Sequence, residues 1–168
     1  MGTGVPWGGR SPPLDLEKHP PRSPFAALGG VVTLPRCIDK MRADLAGTAG
    51  AYKATTGNIS TRLFSFLDVT PEAFAAVVAA NADDAGVLAA LRSGRWPPAA
   101  AIDAWNRESV ARAPENDERW ARHWRLLREA GYGARTDIRT VFDRLLAEDG
   151  VDVPPGGTAW SPGDAHGT

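Results

Sequence analysis

Cysteine and histidine are scarce in this chain. Cys37 is the single cysteine, which excludes an internal disulfide and any site built from several thiolates. His19, His123 and His166 stand far apart in no metal-ligand spacing, so no metal is expected. An excess of charge of one sign is also missing. A net charge of −1 leaves no long-range field to draw the molecule onto nucleic acid or an anionic membrane. Neither is expected as a partner, and any anion must be held locally. No stretch approaches the apolar length of a membrane span, and residues 1–13 carry Gly and Pro where a secretory leader has a charged start and an apolar run. These absences point to the cytoplasm.

Motifs are missing too. There is no Gly-rich phosphate loop with Lys-Ser/Thr, no nucleophile elbow, no His-Glu-x-x-His and no dinucleotide fingerprint, so no cofactor is expected. Outside residues 31–34 there is no alternating apolar pattern of strand length, which argues against a sandwich or a Rossmann sheet.

What remains has ordinary globular proportions: 168 residues, 43% hydrophobic and 23% charged, enough for one core. The reading is a mainly α protein, a compact irregular multi-helix array with flexible Gly/Pro-rich termini. Residues 1–13 and 154–168 are expected to be mobile tails, with Trp7 and Trp160 as groups that dock, and residues 14–153 a single helical domain.

Punctuation divides that domain. Ser23-Pro24 reads as the start of a short helix stopped by Gly29-Gly30, followed by a brief extended stretch before Pro35. Pro35 opens a helix to about Ala46 with Ile38, Met41 and Leu45 inward, closed by Gly47. Asn58 or Ser60, Thr70-Pro71, Asp83, Pro97-Pro98 and Asn116 begin the next five helices. The last is expected over residues 136–149, where Ile138, Val141, Phe142, Leu145 and Leu146 recur at helical spacing before Gly150.

Candidate chemistry concentrates in residues 34–42. Arg36, Asp39, Lys40, Arg42 and Asp44 crowd one short helix, with Arg22, Tyr52 and Lys53 placed to converge on it. On one reading they form an anion pocket: Arg22, Arg36 and Arg42 hold a carboxylate or phosphate, while Asp39, Lys40 and Tyr52 supply acid and base. Lys40 is also a candidate for a Schiff base. On the other they form a solvated face whose ion pairs tie the helix to the N-terminal arm. Cys37 beside Arg36 is a conceivable nucleophile, but no histidine is near in sequence, and a small core residue is the expected role.

A second cluster lies further on. Arg119, Arg122, Arg125 and Arg128 recur every three residues beside Trp120 and Trp124, a pattern able to stack on a single strand. Glu115, Asp117, Glu118 and Glu129 offset it, and the expected arrangement is tryptophans inward, arginines outward, with His123 packed or partly exposed.

Residues 16–50, LEKHPPRSPFAALGGVVTLPRCIDKMRADLAGTAG, closely resemble the head of a family catalogued as domain of unknown function 5069. The match rests on Pro20-Pro21-Arg22-Ser23-Pro24, Leu28-Gly29-Gly30, Leu34-Pro35-Arg36, Ile38-Asp39-Lys40 and Arg42-Ala43. It continues more loosely through Arg62-Leu63-Phe64-Ser65-Phe66-Leu67 and Ile102-Asp103-Ala104-Trp105-Asn106. The resemblance implies a small bacterial protein with one helical domain and transfers no activity. Its motifs fall on the charged helix already singled out. The chain departs from the family pattern around Tyr52, where Ala51 precedes the tyrosine and an acidic residue is usual.

Together these readings lead to a cofactor-independent enzyme of isomerase, cyclase or lyase type acting on a small anionic metabolite. The alternative is a non-catalytic small-molecule-sensing or protein-interaction module. The oligomeric state is not legible.

Overall fold

The computed structural model describes residues 14–166; the expectations for residues 1–13, Trp7 included, lie outside them. The fold is mainly α. Its elements are β1 (Ala27–Leu28), β2 (Val31–Val32), α1 (Leu34–Leu45), α2 (Asn58–Leu67), α3 (Pro71–Ala80), α4 (Asp84–Ser93), α5 (Ala99–Ala111), α6 (Asp117–Glu129), α7 (Val141–Glu148) and a 3-10 turn, Pro162–His166. No single described helix is long and apolar enough to cross a membrane. The described residues cluster in two compact units: residues 14–21 with 37–96, and residues 22–36 with 97–166.

The first unit contains the greater part of α1, from Cys37 onward. Cys37, Ile38, Asp39, Lys40 and Met41 are buried at five consecutive positions, more than one full turn, so the helix is enclosed on every side. Leu63, Phe64, Leu67, Phe74, Val78, Val87 and Leu91 supply apolar surface to the core, with the Phe64 and Phe74 rings 4.8 Å apart. Local chemistry starts the outer helices where expected. Thr70 Oγ1 accepts from the Ala73 N–H at 3.1 Å, and Asp83 Oδ1 accepts from the Gly86 N–H at 2.7 Å, each satisfying an otherwise orphan donor. Leu45, expected inward, is 52% exposed, because it lies on the last turn, beyond the enclosed stretch.

In the second unit the expected helix at Ser23-Pro24 is absent. Gly29 and Gly30 instead take φ of 59° and 80° and turn a two-residue hairpin that pairs Ala27 with Val32 and Leu28 with Val31. A Gly-Gly pair suits this because both central residues of such a turn need positive φ. The buried side chain of Asn106 grips the hairpin, its Oδ1 accepting from the Val32 N–H at 3.1 Å and its Nδ2 donating to the Gly30 carbonyl at 2.7 Å. Leu127, Ile138, Leu146, Ala147 and Val153 form a core against which Phe25, Trp124 and Tyr132 pack.

Two further expectations need correcting. The last helix begins at Val141, five residues later than the spacing suggested, because Thr140 caps it by accepting from the Asp143 N–H at 3.1 Å. Ile138 still enters the core, from the preceding turn. The C-terminal segment from Pro154 to His166 is held. Asp137 accepts from the Gly156 N–H at 2.8 Å, and Asp143 accepts from the Thr158 N–H at 3.1 Å and its hydroxyl at 2.6 Å. Gly157 permits the close pass, since a Cβ there would stand 2.8 Å from Asp143 Oδ2. Composition alone hid these anchors, which come from side chains 15 and 19 residues upstream.

Candidate functional site

The six candidate residues divide between the two units: Arg22 and Arg36 in one, Asp39, Lys40, Arg42 and Tyr52 in the other. The solvated-face reading does not survive for the helix itself, since Arg36, Asp39 and Lys40 are 2%, 6% and 4% exposed.

Arg36 occupies the first turn of α1, where the helix dipole disfavours a cation, and Asp149 follows the last turn of α7, where it disfavours an anion. Each relieves the other. Arg36 Nη1 donates to Asp149 Oδ2 at 2.7 Å and Nη2 to Oδ1 at 3.3 Å, a two-point pair almost completely removed from water. Nη1 also donates to the Arg22 carbonyl at 3.1 Å, while the otherwise exposed Arg22 returns a bond from Nη2 to the Pro35 carbonyl at 3.3 Å. The guanidinium fork expected to receive a ligand carboxylate thus holds one of the chain's own.

In the other unit, Arg42 Nη1 donates to Asp84 Oδ1 at 2.8 Å, in the first turn of α4. Its Nη2 is buried with no partner among the described residues. Lys40 lies about 200° around the helix from Arg42 and reaches a different neighbour. Its Nζ stands 3.6 Å from the point a Cβ on Gly57 would occupy, beside the Lys53 carbonyl. Gly57 is the N-cap of α2 and offers no side-chain oxygen to the first N–H groups of that helix. A buried ammonium and an uncapped helix start therefore stand side by side, and both favour an anion. Asp39 is the next residue along α1, and the partly exposed Tyr52 lies in the loop before Gly57. Cys37 is the core residue expected of it, fully buried with Sγ 3.7 Å from Ser60 Oγ.

On the aromatic helix α6 the arginines are exposed and His123 is packed, as expected, but the tryptophans are not wholly inward. His123 is the fully buried residue, while Trp120 and Trp124 stay partly exposed. Their rings stack at 5.3 Å, and both present an edge to the imidazole, at 5.2 Å and 4.9 Å. His123 Nε2 lies 2.8 Å from the Ile138 carbonyl and Nδ1 has no partner among the described residues, which assigns the proton to Nε2. Burial holds its pKa below the ordinary histidine value, and the positive charges of Arg144 and Arg139 add to the effect against the Ile138 bond.

Sequence reasoning missed Asp149, Asn106 and Asp143. All three act on groups distant in the chain or on backbone, and only the Trp105-Asn106 match within the family pattern hinted at one of them.

Fold and site define a mainly α protein whose densely charged first helix is buried. The chain belongs to the family described as domain of unknown function DUF5069, whose model matches residues 18–151, a stretch that contains all six candidates. No curated protein matches the chain.

Proposed function

We propose that the protein is a cytoplasmic, cofactor-independent enzyme of the proton-transfer kind, of isomerase, cyclase or lyase type, acting on a small anionic metabolite. The observation that carries this reading is the buried Lys40 ammonium beside the uncapped start of α2. A substrate carboxylate or phosphate is received there, its charge met by the ammonium and by the helix dipole. Asp39, adjacent on α1, serves as the base that removes a carbon-bound proton, and Tyr52 as the acid that returns one. Chemistry of this kind needs only a positioned acid, a base and an anion clamp. Arg36 and Arg42 engage carboxylates of the chain itself and are assigned to positioning α1.

The test is exchange of substrate hydrogen with solvent. In heavy water, with a panel of small keto acids, hydroxy acids and sugar phosphates, proton NMR is expected to show deuterium entering one of them next to its carbonyl group. Asp39→Asn abolishes that exchange while binding persists; Lys40→Met weakens binding by about tenfold or more. Binding without exchange makes the site a sensor rather than an enzyme. Binding indifferent to Lys40→Met removes the site altogether.

A further inference from the structure

Most arginines around α6 are matched by a carboxylate. Arg112 pairs with Glu115 at 2.7 Å, Arg119 with Glu115 at 3.5 Å, Arg125 with Glu129 at 3.8 Å, Arg135 with Asp137 at 2.8 Å and Arg144 with Glu148 at 3.2 Å. Arg122, Arg128 and Arg139, all exposed, have no such partner among the described residues. The last two bracket the partly exposed tryptophans. Arg139 Cζ lies 4.9 Å over the Trp120 ring, Trp120 stacks on Trp124, and Arg128 follows Trp124 one turn later. Positions 120, 124 and 128 recur at four-residue spacing and so form a continuous strip along one flank of the helix. Arg128 is held against the backbone at Gly133, where a Cβ would meet its Cγ at 2.8 Å.

We propose that this strip is a docking surface for an acidic segment of a partner protein. The segment presents two carboxylates about 12 Å apart, the rise along α6 from Trp120, over which Arg139 lies, to Arg128 eight residues on, with an apolar side chain between them. Arg128 and Arg139 receive the carboxylates and the tryptophan pair receives the apolar group. Tryptophan and arginine in this setting are the residues on which interface energy concentrates, and two cations without a carboxylate partner among the described residues select the partner by charge. The chain's own N-terminal segment is not the occupant: residues 1–13 contain Arg10 and no Asp or Glu. A single-stranded nucleic acid fits less well, because its bases need open aromatic faces and the Trp120 ring is already stacked by Trp124 and Arg139, whereas an apolar side chain can pack on the partly exposed flank of the pair.

The experiment measures binding of two fluorescent probe peptides to the full chain. One is an alanine-based helix with two glutamates eight residues apart and a leucine midway. The other is an extended peptide with glutamates four residues apart, about 13 Å. Each has a control with glutamine for glutamate. At least one glutamate probe is expected to bind about tenfold or more tightly than its control. Arg128→Gln and Arg139→Gln each remove that preference, whereas Arg128→Lys and Arg139→Lys retain most of it. Several results overturn the proposal: equal binding of both probes and their controls, a preference untouched by the glutamine variants, or a labelled oligothymidylate that binds through these arginines more tightly than either peptide. A homodimer that Arg128→Gln dissociates also overturns it, by making a second copy the occupant.

Discussion

Helices α1 and α6 are written in much the same alphabet, each dense in charge of both signs, yet they meet opposite fates. Along α1 the side chains of Arg36, Asp39 and Lys40 are buried. Along α6 only His123 and Leu127 are, and charge stays in water. The difference lies in where the partners come from. On α6, Arg125 finds Glu129 one turn away and Arg119 finds Glu115, just before the helix; these are local pairs four residues apart, weak and screened. On α1, Arg36 finds Asp149, 113 residues along the chain, in surroundings that exclude water. Charge density along a helix therefore does not decide burial. Tertiary partners do, and a buried charge depends on its partner far more than an exposed one.

The sharpest way to break the comparison is to remove that partner. Asp149→Ala deprives the buried Arg36 guanidinium of this carboxylate at the wrong end of the α1 dipole, and is expected to cost about 3–5 kcal/mol of stability in urea titrations. Replacing both residues by apolar ones, Arg36→Met with Asp149→Leu, should recover most of that loss, because the burden lies in the buried charge that has lost its carboxylate. A single variant that loses under about 1 kcal/mol would place Arg36 in the same class as the surface arginines of α6.

His123 is the member of α6 that behaves like α1, and pH exposes it. Its folded pKa is depressed, chiefly by burial, so the unfolded chain takes up the proton first. The stability it contributes is fully present above the unfolded value of about 6.5 and is lost as pH falls below it toward the folded value, at no more than about 1.4 kcal/mol per pH unit. Protonation would also give Nδ1 an N–H with no acceptor, close to Arg139 and Arg144. Thermal unfolding followed by tryptophan fluorescence should show this decline, and His123→Gln, which can still donate to the Ile138 carbonyl, should flatten it. An unchanged slope in that variant would assign the acid sensitivity to other groups.

Legibility in the sequence follows the same division between local and distant partners. The caps at Thr70, Asp83 and Asn116 were readable because a cap is satisfied within three residues. The Gly29-Gly30 turn was misread: Ser23-Pro24 imitates a helix start, and strands of two residues are too short to show alternation. The start of α7 was placed too early because Ile138 continues the apolar spacing without being helical. Of the candidate site, the choice of α1 was legible from its crowding of charged types. Its enclosure was not, nor was the split that sends Lys40 toward Gly57 and Arg42 toward Asp84, since both depend on which loop or helix covers each face.

The smallest expected effect tests the other side of the comparison. Arg125 and Glu129 form an i,i+4 pair at 3.8 Å with side chains 59% and 63% exposed. At that separation in water their attraction is offset by the entropy of fixing two long side chains. The carboxylate also sits in the last turn of α6, where the helix dipole disfavours it. Glu129→Gln removes the pair and the unfavourable end charge together, so its net change should stay within about 0.5 kcal/mol of zero in urea titrations, and should shrink further as salt is raised. A loss approaching that of Asp149→Ala would mean that α6, like α1, depends on its charges for its place in the fold.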